Sequence, residues 1–345
     1  MFDQNHYVPV LKAKRGELKA LLETKSRERM TPLIEPILKS TPKQLANLIG
    51  NSWGHQFAVF IDGLHWDAHF PDRAGKLMGD LCRFLGAQQV KFVPITGLDR
   101  SGAYQEAVSV SVQKIGRGLG IRVGSRDLLD AQAFQSTVPE LIQAMKVATN
   151  QVDLIVDFGA TEVASEDHLA LTMRSTLEQI PFLDGWRTLT LVATGFPSTL
   201  GMLPKGWSEV PRTEWLAWNK LQLRRIWGKR KPSFGDYAVS HSRLPHEGRG
   251  RTLGQIRYTT NDSFLVYKGN DVQKDPRGFK QFFDICEELT ERQEFSGCEF
   301  SWGDRQIAEK ATSEGSPGNA QTWKEIGANH HFEMVMTQLA SYPGP

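Results

Sequence analysis

The chain has 345 residues, of which 40 % are hydrophobic and 23 % are charged, and its formal net charge is +2. This composition is ordinary for a globular protein with a sizeable core, and a near-neutral charge favours neither nucleic acid nor a membrane as partner. The three cysteines, Cys82, Cys286 and Cys298, lack metal-ligand spacing, and no apolar run approaches the roughly 18 residues of a spanning helix. We therefore expect a cytoplasmic protein without a disulfide framework.

Eight short apolar runs, each ending on a polar or small residue, recur at similar intervals along the chain. They are 8–12, 32–35, 59–62, 92–96, 119–122, 154–157, 190–194 and 237–241. Runs of this kind, separated by stretches of helix length, are typical of buried parallel strands joined by crossover helices. Eight such units predict an α/β fold of the (β/α)8 TIM-barrel type.

Amphipathic stretches fill the intervals between these runs. After the first run, for example, Leu18, Leu21 and Leu22 share one helix face. The predicted helices are 15–24, one opened by Thr41-Pro42, 72–85, 103–115, 137–149, 165–180, 211–227, 279–293 as the last barrel helix, and 323–339.

The second half of the chain departs from this regular alternation. Residues 197–206 form a predicted loop, and 256–260 and 264–267 form a predicted β-hairpin. No linker divides the chain. We therefore expect one barrel domain over 1–345, with the barrel at about 5–295, insertions at about 197–233 and 245–275, and a C-terminal extension at about 296–345.

Polar residues end most of the predicted strands, where barrel proteins usually carry their function. These residues are Lys12, Glu35, Asp62, Thr96, Arg122, Asp157, Thr194 and His241. Glu35, Asp62 and Asp157 could hold a divalent metal such as magnesium, while Lys12 and Arg122 could clamp a phosphate. With His241 as a base, the set would serve metal-dependent phosphoester hydrolysis by a nuclease or phosphodiesterase. The alternative is a balanced ring of salt bridges that closes the barrel mouth.

Three further clusters have simpler interpretations. The stretch 62–69 holds two histidines and two aspartates that could ligate a transition metal, yet it is typical of a polar loop anchored by Trp66. His330 and His331 are adjacent on a predicted helix and point about 100° apart, which favours a structural role. The basic stretch 224–231 lies near tryptophans and gives weak support for nucleic-acid binding, but it is typical of a solvated helix end.

Both ends of the chain resemble one known family. The stretches 7–17 and 32–36 are similar to the opening of the Beta protein family of phages and prophages, and 302–307, Trp323 and 329–331 are similar to its C-terminal signature. The family is named after a satellite-phage gene whose product restrains the toxic protein Gop, and related loci protect bacteria against other phages. The resemblance implies a phage-defence or toxin-control protein that binds and restrains, or cooperates with, a partner protein encoded nearby.

The resemblance carries no established catalytic residues, so whether the protein is an enzyme stays open. The positions of its motifs are the candidates for a shared ligand site. They would come together if the terminal helix folds back over the barrel mouth. They are Lys12, Lys14, Glu35, Trp302, Asp304, His330 and His331. Together with Asp62, Arg122 and Asp157, they form the predicted binding site for a phosphorylated ligand.

Overall fold

A computed structural model describes Phe2 and residues 4–124, 127–128, 130–161, 164–223, 230–244 and 253–342. The strands in this part of the chain are β1 (Tyr7–Lys12), β2 (Leu33–Glu35), β3 (Val59–Ile61), β4 (Phe92–Thr96), β5 (Leu119–Gly124), β6 (Val152–Ala160), β7 (Thr188–Thr194), β8 (Gly206–Pro211), β9 (Ser233–Asp236), β10 (Leu253–Thr259) and β11 (Ser263–Asp271). The helices are α1 (Arg15–Leu22), α2 (Pro42–Trp53), α3 (Leu64–His69), α4 (Pro71–Ala87), α5 (Gly102–Ile115), α6 (Ala131–Ala144), α7 (Glu166–Gln179), α8 (Thr213–Leu223), α9 (Gln281–Thr290), α10 (Trp302–Ala311) and α11 (Ala320–Ala340).

Strands β1 to β7 and β9 close into a barrel, and each pairs in parallel with its neighbours. The predicted α/β barrel is thus confirmed. Apolar side chains from β1 to β4, β6 and β7 fill its interior, including Val10, Phe60, Ile155 and Val192. The opposite faces of the strands pack under the surrounding helices in the largest core cluster.

The eighth barrel strand lies earlier than the sequence indicates. The prediction placed it over 237–241, whereas the structure forms it at Ser233–Asp236. Ala238 has a φ of 50°, which ends the extended conformation there. Gly235 allows the close pairing, because a Cβ atom at this position would lie 2.7 Å from the Val8 carbonyl oxygen and 2.8 Å from Val192 Cγ2.

A second, smaller sheet packs beside the barrel. It is antiparallel in the order β10-β11-β8, so the predicted hairpin is confirmed, and β8 adds a strand that the sequence did not predict. Helices α9 and α11 contribute Phe282, Ile285 and Trp323 to a core under this sheet, together with Tyr258 from β10. This sheet therefore has its own hydrophobic core.

The helix that covers the last barrel strand is α11, and this corrects the prediction that 279–293 does so. Phe332 and Val335 of α11 belong to the barrel's outer core, and Asn329 Nδ2 donates to the Ala20 carbonyl at 3.2 Å. The prediction for 62–69 was also incomplete, because most of this stretch forms α3. Among the described residues, no helix combines the length and the apolar character needed to cross a bilayer.

Candidate functional site

The charged side chains at the barrel mouth lie on the same faces of their strands as the apolar side chains that fill the barrel. Side chains alternate between the two faces of a strand, so Lys12 of β1 points into the barrel on the same face as Val8 and Val10. Arg122 and Asp157 take the equivalent places on β5 and β6. A layer of ionised groups therefore lies directly above the apolar filling of the barrel.

Arg122 lies at the centre of this layer. Its Nη1 atom is 2.8 Å from both Glu35 Oε1 and Asp62 Oδ2. Its Nε and Nη2 atoms lie 3.0 and 2.6 Å from Asp157 Oδ2. Nη2 also donates to the Tyr237 hydroxyl at 2.6 Å, and that hydroxyl donates to Asp157 Oδ2 at 2.5 Å. One guanidinium group thus connects three carboxylates.

The second oxygen of Glu35 has two further partners. Lys12 Nζ and His65 Nε2 each lie 3.1 Å from Glu35 Oε2. Lys12 Nζ also donates to the Ser242 carbonyl at 2.6 Å and lies 4.6 Å from the centroid of the Tyr237 ring. Glu35 therefore joins β1 and α3 to the central arginine.

Asp62 is held from its other side by Arg100, which the sequence did not single out. Arg100 Nη2 lies 3.2 Å from Asp62 Oδ1, and Arg100 also pairs with Asp99. The backbone amide of Leu64 donates to Asp62 Oδ1 at 3.0 Å. The carboxylate of Asp62 is therefore fully engaged by donors.

Three cations and three carboxylates form this network, and each of these side chains is at most 9 % exposed. They are Lys12, Arg100, Arg122, Glu35, Asp62 and Asp157. Their formal charges cancel. We call these six residues and Tyr237 the mouth network.

Neighbouring charges and burial shift the pKa values of Glu35, Arg122 and Tyr237. Burial alone would raise the pKa of Glu35, but Lys12 and Arg122 outweigh it and hold this pKa well below its ordinary value. Burial would lower the pKa of Arg122, yet Tyr237 and Asp157 help to raise it well above its ordinary value. Burial raises the pKa of Tyr237 well above 10, so this side chain remains a neutral phenol that donates a hydrogen bond.

The carboxylates proposed as metal ligands do not fit a divalent cation. Arg122 occupies the place between Glu35, Asp62 and Asp157 that a metal would need. Within the described ranges, no group of three or more histidine, cysteine, aspartate or glutamate side chains is arranged to hold a metal ion. The geometry corresponds to the ring of salt bridges that the sequence left as the alternative.

The other predicted strand-end residues do not join the mouth network. The Thr96 hydroxyl is buried without a hydrogen-bond partner among the described residues, and Thr194 Oγ1 donates to the Ser240 carbonyl at 3.2 Å. His241 follows the displaced eighth strand, and its Nδ1 accepts from the backbone amide of Arg243 at 3.1 Å. Tyr237, which directly follows the observed eighth strand, contributes its hydroxyl to the mouth network from this end of the barrel.

Asp304 and His330 form a separate buried cluster between α10, α11 and β10. His330 Nδ1 lies 2.8 Å from Asp304 Oδ2, and His330 Nε2 lies 2.7 Å from the Thr259 carbonyl oxygen. Tyr258 donates to Asp304 Oδ1 at 2.7 Å and stacks on the His330 ring with centroids 3.8 Å apart. Ser301 caps α10 and donates to the same carboxylate. These contacts fasten the C-terminal helices to the second sheet.

His331 belongs to another buried cluster outside the barrel. Its Nε2 lies 2.8 Å from Asp236 Oδ2, and Tyr7 donates to Asp236 Oδ1 at 2.5 Å. Trp302 packs against the core of the second sheet, and Lys14 lines a surface cleft. The terminal helix therefore does not carry the C-terminal motif residues to the barrel mouth.

The basic stretch 224–231 is described only in part, because 224–229 lie outside the described residues. Arg230 donates to the carbonyls of Trp186 and Arg187, the latter at 3.0 Å. This arginine therefore binds the protein's own backbone.

Triosephosphate isomerase from Bartonella henselae is a similar solved structure, with 14 % identity, a TM-score of 0.36, and coverage of 68 % of this chain and 94 % of that chain. No curated protein matches the sequence. The model of the Beta protein family matches residues 7–337, nearly the whole length, and confirms the resemblance seen at both ends. The chain therefore belongs to the Beta protein family.

Proposed function

We propose that this protein acts by binding, as a component of a phage-defence or toxin-control system that restrains or cooperates with a partner protein encoded nearby. Membership of the Beta protein family supports the proposal that the protein works in such a system and that it has a partner protein. The closed mouth network supports binding over chemistry, because Arg122 engages all three strand-end carboxylates. A catalytic metal site keeps an open coordination position, which this arrangement does not offer.

The mouth network is suited to holding the loops at the barrel mouth in one arrangement. Removing one partner from a buried ion pair leaves an uncompensated charge, so the network penalises any arrangement that separates Arg122 from its carboxylates. Lys12 and Tyr237 extend this constraint to the loop after β9, through the Ser242 carbonyl and the Asp157 carboxylate. On this proposal, the network holds the loops at the barrel mouth in the shape that the partner recognises.

The alternative, a metal-dependent phosphoester hydrolase, has no observation in its favour at this site. Glu35, Asp62 and Asp157 would have to leave Arg122 before binding a metal. Lys12 and Arg122, the residues expected to clamp a phosphate, already pair with carboxylates. A phosphorylated ligand at the barrel mouth would therefore need other cations.

Co-expression with each gene adjacent to the protein's own tests the proposal. We expect one such gene to arrest growth alone, growth to recover when this chain is present, and the two products to co-purify in a fixed ratio. Arg174→Ala, at an exposed ion pair with Glu178, is the control that should retain rescue. The proposal is wrong if no neighbour is restrained or bound while the purified chain hydrolyses bis(p-nitrophenyl) phosphate in a magnesium-dependent reaction lost in Glu35→Ala.

A further inference from the structure

A surface cleft of about 630 Å³ lies between the start of α1, the connection from β2 to α2, α2 itself and the start of α11. Its lining includes three cations, Lys14, Arg15 and Lys39, and none of its lining residues is acidic. Its size lies within the usual range of small-molecule sites. None of the residues that line the cleft belongs to the mouth network.

Positive charge accumulates around Lys14. Burial and the neighbouring Lys324 lower the pKa of Lys14, and Lys12 and Arg257 act in the same direction. Lys14 and Lys324 form no ion pair or side-chain hydrogen bond with the part of the chain that the structure describes. Glu17 is the acid that acts against this excess. An anionic ligand would relieve the repulsion that these cations exert on one another.

Close contact between α1 and α11 brings Lys14 near Lys324. A Cβ atom at Gly16 would lie 3.0 Å from the Gln321 carbonyl oxygen and 3.3 Å from Lys324 Cβ. Because a larger side chain at Gly16 would push the helices apart, this glycine permits the approach. Lys14, two residues earlier, therefore lies beside the start of α11 and in the wall of the cleft.

The rest of the lining suits a planar heterocycle. Ile37 and Leu48 offer apolar surface, and the amide of Asn51 lines the same cleft beside Asn47, whose Oδ1 accepts from Gln88. Asparagine amides both donate and accept hydrogen bonds, which is the pattern that the edge of a nucleobase presents. Inorganic phosphate alone would leave most of the 630 Å³ unfilled.

We propose that this cleft binds a free nucleotide, with its phosphates against Lys14 and Arg15 and its base against the apolar and amide surface of α2. Lysine and arginine are the residues that bind phosphates through charge and through forked hydrogen bonds. The site stands apart from partner restraint, so either proposal can fail without the other.

Isothermal titration of the full chain with ATP, GTP, CTP and UTP tests the inference, with adenosine, inorganic triphosphate and a ten-residue oligothymidylate as comparisons. We expect at least one nucleotide to bind more tightly than triphosphate, and adenosine to bind weakly. Lys14→Gln and Arg15→Gln should each weaken nucleotide binding at least about tenfold, a factor that corresponds to 1.4 kcal/mol. Lys114→Gln removes the same charge from the groove between α4 and α5 and should leave the affinity unchanged.

Several results would overturn the inference. One is the absence of binding for all four nucleotides at millimolar concentration. Another is equal affinity for triphosphate and nucleotides, which would show an anion site without base recognition. Binding of the oligothymidylate alone, or nucleotide binding that survives the combined Lys14→Gln and Arg15→Gln change, would also contradict it. Thermal melting of each variant shows whether it remains folded.

Discussion

Arg122 and Glu35 are 87 residues apart in the sequence, and they meet inside the barrel with Nη1 and Oε1 separated by 2.8 Å. The same nitrogen also reaches Asp62. This contact determines the character of the barrel mouth, because it converts a set of carboxylates that could hold a metal into a neutral network.

Replacing Arg122 should destabilise the fold strongly. Arg122→Ala leaves Glu35, Asp62 and Asp157 buried without their shared cation, and breaking a buried ion pair in this way costs about 3–5 kcal/mol. Urea denaturation followed by circular dichroism measures the loss. Arg174→Ala, at an exposed pair, should cost less than about 1 kcal/mol. Equal stability of the two variants would show that the network does not hold the barrel mouth.

The Tyr237 hydroxyl should contribute through its two hydrogen bonds. Tyr237→Phe removes the donor to Asp157 and the acceptor for Arg122 while keeping the ring, so we expect a loss of about 1–3 kcal/mol. Tyr267→Phe is the matched control, because the Tyr267 side chain is only partly buried and lies on the second sheet. The prediction fails if the two phenylalanine variants have the same midpoint in urea.

Glu214 should make stability fall as the pH rises. This residue of α8 is fully buried, accepts from the Gly195 amide at 2.6 Å, and has a pKa that burial raises to about 7. A carboxyl group whose folded pKa lies above its unfolded pKa favours folding below the unfolded value and loses that contribution as the pH rises through the folded value. We expect wild type to lose about 2 kcal/mol relative to Glu214→Gln between pH 5 and pH 8.

Denaturation of both proteins at pH 5 and pH 8 measures this difference. Glu209→Gln, an exposed change on β8, controls for removing one negative charge and should follow wild type. Parallel pH profiles for wild type and Glu214→Gln would show that Glu214 does not titrate in this range.

Asp304 should secure the C-terminal helices. Asp304→Asn removes the negative charge beside His330 and leaves a single side-chain oxygen for the hydrogen bonds from Tyr258 and Ser301, and we expect a loss of about 3 kcal/mol or more. Hydrogen exchange should quicken in α10, α11 and β10 and change little in β2 to β5. Asp284→Asn, at an exposed pair with Arg277, should leave exchange unchanged. Uniform acceleration across the barrel would contradict the separate role of this cluster.

The barrel and the core of its site could be predicted from the sequence because strands carry a simple signal. The alternation of apolar residues identifies the inward face, so Lys12, Glu35 and Arg122 were correctly assigned to one end of the barrel. The signal failed at the eighth strand, where the short run around Gly235 gives little apolar pattern. It also missed β8, which is stabilised by pairing with β11.

The rest of the site depends on contacts that no local pattern encodes. Arg100 lies in the loop after β4 and His65 lies on α3, so neither residue ends a strand, and the strand-end pattern gave no indication that they contact Asp62 and Glu35. The family motif residues Asp304 and His330 were expected near the mouth, yet they pair beside the second sheet. Their place follows from packing of α11 against β10, which only the folded chain shows.

Native mass spectrometry distinguishes a protein that binds a partner from a metal-dependent hydrolase. The untagged chain would be purified gently, without chelator, from cells that also carry its neighbouring genes. We expect a complex with one neighbouring gene product in a fixed ratio and no divalent ion bound at Glu35, Asp62 and Asp157. A chain without a partner that carries one divalent ion per molecule, lost in Glu35→Ala, would contradict it.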